Sequence, residues 1–187
     1  MRKKLITAII ALSLVLSCMV GITVAWLSVK TPTVTNTFSP SDITLELKET
    51  NVDGDSDKQN TYQMVPGQTI TKDPVVTVKN GSEACWLFVK VEKSANFDDF
   101  MTFDPADGWT LLSGTDNVYY REVGESADDQ SFPVIKDNKV TVLETVTKQM
   151  MNGLNGNNPT LTFTAYAIQR AGFDAVADAW TEAQKLG

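Results

Sequence analysis

The sequence contains no histidine. Histidine is the commonest zinc ligand and the usual general base near neutral pH, so zinc peptidase sites, Ser-His-Asp triads and Cys-His pairs each lose a member. Metalloprotease, serine hydrolase and cysteine protease mechanisms are therefore not expected. We expect no catalytic residue, no metal site and no cofactor in this chain.

Cysteine is almost as scarce. The two cysteines are Cys18, in the apolar N-terminal stretch, and Cys85. Once the N-terminal stretch is removed, Cys85 has no partner for an intramolecular disulfide. Because Cys85 is in phase with Leu87 and Val89 in an alternating apolar pattern, we expect a buried and unreactive thiol.

Basic residues are also few compared with acidic ones. The 187 residues carry 16 basic and 23 acidic side chains, which gives a net charge of −7. A chain that begins after residue 25 has lost three basic residues and carries −10. Nucleic acid and anionic membrane surfaces repel such a polyanion, so neither is expected as a partner.

The N-terminus has the pattern of a secretory signal peptide. Three basic residues at positions 2–4 precede an apolar run at residues 5–24, and Thr23-Val24-Ala25 places a small residue at −1 of a cleavage site and an acceptable one at −3. The pattern predicts cleavage between Ala25 and Trp26, with membrane contact only during export. Two alternatives stay open: the run could be retained as an anchor, and residues 15–18 loosely resemble a lipidation motif.

Residues 26–40 are predicted to form an extended arm. The segment is rich in threonine and valine, contains prolines at 32 and 40, and has no acidic residue. It could be the first strand of its own sheet, a frayed terminus, or a strand that adds to the edge of a neighbouring subunit. As a donor strand, its contact residues would be Trp26, Leu27, Val29, Val34 and Phe38.

The clearest strand pattern lies in residues 65–92. Pro66-Gly67 suits a type II turn, and Asn80-Gly81 offers a second reversal. Apolar and polar residues alternate at 70–79 and again at 87–91. We interpret these two stretches as strands that pair as a hairpin, with the second strand in the centre of its sheet.

Further strands are predicted around 43–47, 109–112, 118–123, 132–142 and 159–169, the last of them central. Helical spacing predicts a short helix near 97–101, another at 144–154 and a C-terminal amphipathic helix from 173. The C-terminal helix is expected to pack on a sheet or, alternatively, to contact a partner. Its predicted apolar stripe consists of Phe173, Val176, Ala177, Trp180 and Ala183.

The acidic clusters do not match catalytic or calcium templates. Residues 53–57 have the carboxylate density of a calcium loop, but the required glycine and glutamate positions hold Lys58 and Met64. A solvated turn is expected, with weak calcium binding as the alternative. The aspartates between 98 and 107 show no paired arrangement of the glycosidase kind, and we interpret them as turn and helix-surface residues.

One set of motif residues spans the two predicted turns and the stretch between them: Pro66, Gly67, Thr71, Lys72 and Asp73, followed by Asn80, Gly81 and Ser82. In this order, behind an N-terminal leader of the signal-peptide type, these residues resemble the TasA/camelysin family of secreted biofilm-matrix proteins. The resemblance also covers the leader, residues 36–38 and residues 43–47.

The resemblance implies a jelly-roll-like sandwich, processing by a SipW-like signal peptidase, and fibre assembly by donor-strand exchange. An accessory matrix protein is a further partner that it implies. Camelysin-like proteins have been described as metalloproteases, but the absence of histidine means that we do not expect this activity here.

Strands at short intervals with turn residues between them predict a mainly β fold, an antiparallel β-sandwich with a few short helices. The expected organisation is a signal peptide at 1–25, an arm at 26–40 and a sandwich domain at 41–187. The expected function is that of a secreted, non-enzymatic surface or matrix subunit that self-associates. The alternative is a monomeric cell-surface module that binds glycan or protein through exposed aromatics such as Trp109, Tyr119 and Tyr120.

Overall fold

The computed structural model describes Lys3, Ile6, residues 42–50 and residues 60–186. The chain divides into two units, Met1–Ser39 and Pro40–Gly187. In the first unit only Lys3 and Ile6 are described, and both are helical and exposed. The predicted cleavage site, the arm and the acidic loop at 51–59 lie outside the described residues.

From residue 42 onward, strands and short helices alternate along the described chain. The strands are β1 (Leu45–Lys48), β2 (Thr69–Thr71), β3 (Val75–Val78), β4 (Cys85–Lys93), β5 (Met101–Thr102), β6 (Thr110–Leu111), β7 (Val118–Val123), β8 (Gln130–Pro133), β9 (Lys139–Val142) and β10 (Leu161–Gln169). The α-helices are α1 (Phe97–Phe100), α2 (Lys148–Gly153) and α3 (Val176–Ala183), and 3₁₀ turns occupy Lys136–Asn138 and Gln184–Leu186.

The strands form three antiparallel sheets, so the described chain is mainly β, as predicted. The first sheet has the order β1-β3-β8, the second β10-β4-β7-β6 and the third β2-β9-β5. The small third sheet was not anticipated from the sequence.

The first and second sheets share one apolar core. Val76 and Val78 of β3 and Leu87 and Val89 of β4 are each at most 1% exposed, and they belong to the same cluster. Each fully buried side chain of this kind contributes roughly 1.5–3 kcal/mol. The apolar residues that alternate in β3 and β4 therefore pack against each other between these two sheets.

The predicted hairpin between residues 70–79 and 87–91 is wrong. β3 pairs with β1 and β8, whereas β4 pairs with β10 and β7. The Asn80-Gly81 turn is present, but it carries the chain from the first sheet to the second. Two strands that face each other across a core have the same period as two strands that pair, so alternation alone does not separate the two cases.

The stretch at 70–79 is also two strands rather than one. β2 belongs to the third sheet, where Ile70 lies opposite Val140. The buried Pro74 separates β2 from β3. Proline has no N–H to donate to a ladder, which explains why pairing is interrupted there.

The two long strands occupy different positions in the second sheet. β4 is central, as predicted, because it lies between β10 and β7. β10 was predicted to be central, but in the described residues it pairs with β4 alone and is an edge strand. Both faces of β10 are apolar because the first sheet covers one and α3 packs on the other.

The predicted helices are present with shorter bounds. α2 begins only at Lys148, after Thr147, whose hydroxyl accepts a hydrogen bond from the Met150 N–H at 3.2 Å. α3 packs on the outer face of the second sheet through Ala179, Trp180 and Ala183. Ala177 was placed in the apolar stripe, but it is exposed, and Ala179 takes its place.

Candidate strand-pairing edge

β10 is a long edge strand without the usual protective residues. It has nine residues, LTFTAYAIQ, with no charge, proline or glycine. Natural edge strands are usually short or carry lysine, proline or a bulge, because an open edge is a template for another chain. The free edge of β10 has none of these features.

The other edge strands in the described chain are short or blocked. β1 has four residues and includes Glu46 and Lys48, and β8 ends at Pro133. β2 has three residues, and β5 and β6 have two each. Long, uncharged backbone is therefore offered only by β10 among these edges.

The hydrogen bonds between β10 and β4 show which backbone N–H and C=O groups of β10 face its free edge. Ser94 N–H donates to Thr160 O at 3.0 Å, and Arg170 N–H donates to Ala84 O at 2.8 Å. In an antiparallel ladder the bonded residues alternate, so even-numbered residues bond to β4. The N–H and C=O groups of the odd-numbered residues between Leu161 and Gln169 point to the free edge.

An apolar seam runs along this side of the two sheets. We define the seam as the inner-face residues of β10 and of the β1 segment: Ile43, Leu45, Leu47, Leu161, Phe163, Ala165 and Ala167. All of them are half-buried, whereas the neighbouring Val76 and Leu87 are 0% exposed. Among the described residues the core is therefore thinnest beside the edge of β10 that pairs with no described strand, and an added strand would cover both.

A polar cluster closes one end of the seam. Lys72 Nζ donates to both carboxylate oxygens of Glu49, at 2.9 and 2.8 Å, and Tyr62 donates to Glu49 Oε1 at 2.9 Å. The ammonium group also lies over the Phe163 ring, 5.6 Å from its centroid. Charge-assisted bonds in a half-buried setting are stronger than surface ion pairs, so this cluster fixes residues 49 and 72 against β10.

The neighbouring motif residue Asp73 reinforces this connection. Its carboxylate accepts hydrogen bonds from Thr50 N–H at 3.0 Å and from Thr50 Oγ1 at 2.7 Å. Thr71, also a motif residue, ends β2 and pairs with Lys139. These motif positions therefore join the end of β1 to the segment between β2 and β3.

The remaining motif residues form the two turns. At Pro66-Gly67 the Gln68 N–H bonds to Val65 O at 3.0 Å, and Gly67 has φ +77°. Gly81 has φ +75°, and Asn80 N–H donates to Asp129 Oδ1 at 2.9 Å. Ser82 is buried, and its hydroxyl accepts a hydrogen bond from Thr44 N–H at 3.1 Å.

Half-buried and exposed charges surround the crossover turn. Lys79 Nζ pairs with Glu46 at 2.9 Å and with Asp129 at 3.0 Å. Hydrogen bonds from Lys48 and Lys79 lower the pKa of Glu46, and the Asn80 N–H, then Lys79, lower the pKa of Asp129. The same two carboxylates raise the pKa of Lys79.

Cys85 is buried as expected. Its side chain is 0% exposed, and burial raises the pKa of its thiol to about 11. Within the described residues no three His, Cys, Asp or Glu side chains cluster so that they could hold a metal ion. Asp98 pairs with Lys93 at 2.8 Å, and Asp107 lies 3.8 Å from Lys136.

The three aromatics of the alternative binding module do not form one platform. Tyr119 and Tyr120 are adjacent in β7 and pack into different clusters on opposite faces of the second sheet. Trp109 is half-buried, and its Nε1 donates to Pro133 O at 2.7 Å. Each of these rings is largely engaged within the fold.

No helix within the described part of the chain combines the length and the apolar character that a membrane span requires. Comparisons with protein-family models, with curated proteins and with solved structures gave no match.

The open edge of β10 was not predicted from the sequence, for a specific reason. β10 was interpreted as central because its two faces are both apolar, yet a helix can cover a face without covering an edge. Its lack of charge is visible in the sequence and is the one signal that could have marked it as an open edge. Glu49 was not singled out because its partner Lys72 lies across an intervening loop.

Proposed function

We propose that this protein is a secreted, non-enzymatic subunit of a cell surface or extracellular matrix that self-associates by β-strand addition. The acceptor is the free edge of β10 together with the seam, and the donor is the arm at residues 26–40 of another copy. A sandwich completed in this way would be jelly-roll-like. Export would require a SipW-like signal peptidase that cleaves between Ala25 and Trp26, and an accessory matrix protein would be a further partner.

The observation that carries the proposal is the uncharged nine-residue edge of β10 beside half-buried apolar side chains. Strand addition satisfies open backbone groups and buries alternate side chains in the same step. The arm has matching properties, since it is β-prone and contains no acidic residue. The rest of the chain is acidic, so this arm can approach another copy with less repulsion.

Removal of the arm tests the donor. A chain that begins at Ser41 should remain folded and monomeric, whereas a chain that begins at Trp26 should form fibres that are visible by electron microscopy. Circular dichroism should show the same β content in both proteins at low concentration. Undiminished fibre formation by the shortened chain would disprove the donor assignment.

A second measurement tests whether the arm binds the shortened chain by strand pairing. Adding a synthetic peptide of residues 26–40 to the shortened chain should give a one-to-one complex by analytical ultracentrifugation. A peptide with the same composition in scrambled order should bind more weakly, because alternation must match the seam. Equal binding of the two peptides would show that composition, rather than strand pairing, drives association.

A further inference from the structure

Arg121, in the central strand β7, stands apart from most basic residues of the protein. In residues 42–50 and 60–186, every lysine and arginine makes an ion pair except Arg121 and Lys148. Lys148 is exposed to solvent, where an unpaired charge costs little. Arg121 is half-buried, so its charge lacks both full hydration and a counter-ion.

Aromatic rings hold the guanidinium group in place. Its Cζ atom lies 3.9 Å from the centroid of the Phe132 ring and 5.4 Å from that of Trp109. Gly108 lies against a third side of the guanidinium group, since a Cβ at that position would be only 3.0 Å from Nη2 of Arg121. The hydrogen bond from Trp109 to Pro133 O fixes the indole ring, so the group is oriented before any ligand arrives.

The hydrogen-bonding capacity of Arg121 is unused within the described chain. Nε is buried without a partner, whereas the Nη nitrogens, also without one, keep contact with solvent. Burial lowers the pKa of Arg121, and no acidic side chain opposes this effect. The adjacent Glu122 is on the other face of the strand and pairs with Arg170 at 2.8 Å.

We propose that Arg121, Trp109 and Phe132 form a binding site for a carboxylate group. A guanidinium edge matches the two oxygens of a carboxylate, and the bonds are charge-assisted. The aromatic rings favour a planar ligand that continues the plane of the guanidinium. The carboxylate would belong to a small organic acid or to an acidic side chain of a peptide, and both present the same group.

This site does not depend on the arm or on the edge of β10. It uses side chains of β7, of β8 and of the loop before β6, so it can be tested on the chain that begins at Ser41. A failure here would leave the proposed assembly untouched, and a failure of assembly would leave this site untouched.

Nuclear magnetic resonance of the arginine Nε–Hε groups provides the direct readout. Two probes are used: sodium acetate, and a capped hexapeptide of glutamate and glycine whose control contains glutamine in place of glutamate. Sodium chloride at the same ionic strength corrects for screening. We expect a saturable shift of the Arg121 signal with acetate, with the acidic peptide or with both, and none with the glutamine peptide.

Variants separate a binding site from a packing role. Arg121→Lys keeps the charge but loses the two parallel N–H donors of the guanidinium group, so we expect binding to weaken by about tenfold or more. Intrinsic tryptophan fluorescence, to which Trp86, Trp109 and Trp180 contribute, monitors the binding. Lys148→Gln removes the other lysine or arginine without an ion pair in residues 42–50 and 60–186, and it should leave the affinity unchanged. If neither probe shifts the Arg121 signal, or if Lys148→Gln weakens binding as much as Arg121→Lys does, the assignment is wrong.

Discussion

Lys72 donates hydrogen bonds to both carboxylate oxygens of Glu49, and the two side chains are only 13% and 20% exposed. This pair joins the chain after β1 to the chain after β2, at the end of the apolar seam. Lys48 and Glu46 make a similar contact at 2.6 Å, but the Lys48 side chain is 73% exposed. The protein therefore contains one ion pair with both side chains partly buried and another whose lysine is exposed and whose glutamate also pairs with Lys79.

The two ion pairs should differ in their contribution to stability. Lys72→Met leaves Glu49 partly buried without its cation, and we expect a loss of about 1–3 kcal/mol in the free energy of unfolding. Lys48→Met should cost about 0–1 kcal/mol, because solvent screens that pair. Urea denaturation of the chain that begins at Ser41 measures both. Equal losses in the two variants would contradict the structural role of Lys72.

At two glycines with free space around an added Cβ, the backbone conformation should decide the effect of substitution by alanine. Gly81 has φ +75° and Gly124 does not have a positive φ, and no other atoms lie near a Cβ at either site. Gly81→Ala should therefore destabilise the protein by about 1–2 kcal/mol through backbone strain alone. Gly124→Ala should be neutral or stabilising by up to about 1 kcal/mol. Thermal unfolding measures the difference, and a neutral Gly81→Ala would mean that the crossover turn adapts.

Local features of the fold were accessible from the sequence because they depend on neighbouring residues. The turns at Pro66-Gly67 and Asn80-Gly81, the strand at 118–123 and the burial of Cys85 follow from glycine conformation and from period-two alternation. These patterns report which side of a strand is buried. They contain no information about which strand lies alongside.

Features that depend on distant partners were not accessible. β3 and β4 share a pattern because they face one core, and the sequence does not show that they sit in different sheets. Ala177 and Ala179 differ little in chemistry, so the exact stripe of α3 depends on how the helix is rotated over the sheet. Arg121 has no sequence signal, because its setting is created by Trp109 and Phe132 from other elements.

The C-terminal helix should be part of the folded domain. Trp180 is 7% exposed, and its ring centroid lies 5.2 Å from that of Phe88 and 5.3 Å from that of Tyr166. Trp180→Ala should lower the free energy of unfolding by about 3–5 kcal/mol. Ala177→Glu, on the exposed side, should leave it within about 0.5 kcal/mol. If Trp180→Ala has no effect on urea denaturation, α3 does not depend on this packing.

Cys85 should make stability depend on pH in the alkaline range. The thiol is neutral in the folded protein until about pH 11 because burial raises its pKa from 9.0. The unfolded chain loses that proton from pH 9 upward, so unfolding is favoured as the pH rises from 9 to 11. The slope is at most about 1.4 kcal/mol per pH unit.

Cys85→Ala isolates this effect from the titration of lysine and tyrosine. The variant should be less stable at pH 7 because of the smaller side chain, but its stability should fall less steeply between pH 9 and 11. In the native protein the thiol should also resist alkylation at pH 8 and react after unfolding in urea. Parallel pH profiles for the two proteins would show that the thiol titrates normally.

Ala165 lies in the middle of β10, and its backbone N–H points toward the free edge. Proline at this position removes that donor but no hydrogen bond to β4, and edge strands tolerate proline where the N–H faces outward. Ala165→Pro should therefore fold but polymerise at least about tenfold more slowly, since an added strand would lose a bond and meet the proline ring. Ala165→Val keeps the N–H and raises β-propensity, so it should polymerise at least as fast as the wild type. Light scattering of the chain that begins at Trp26 gives the rates, and circular dichroism verifies that both variants are folded. A folded Ala165→Pro protein that polymerises at the wild-type rate would place the acceptor at another edge, because a strand added to β10 would lack the hydrogen bond that the Ala165 N–H donates.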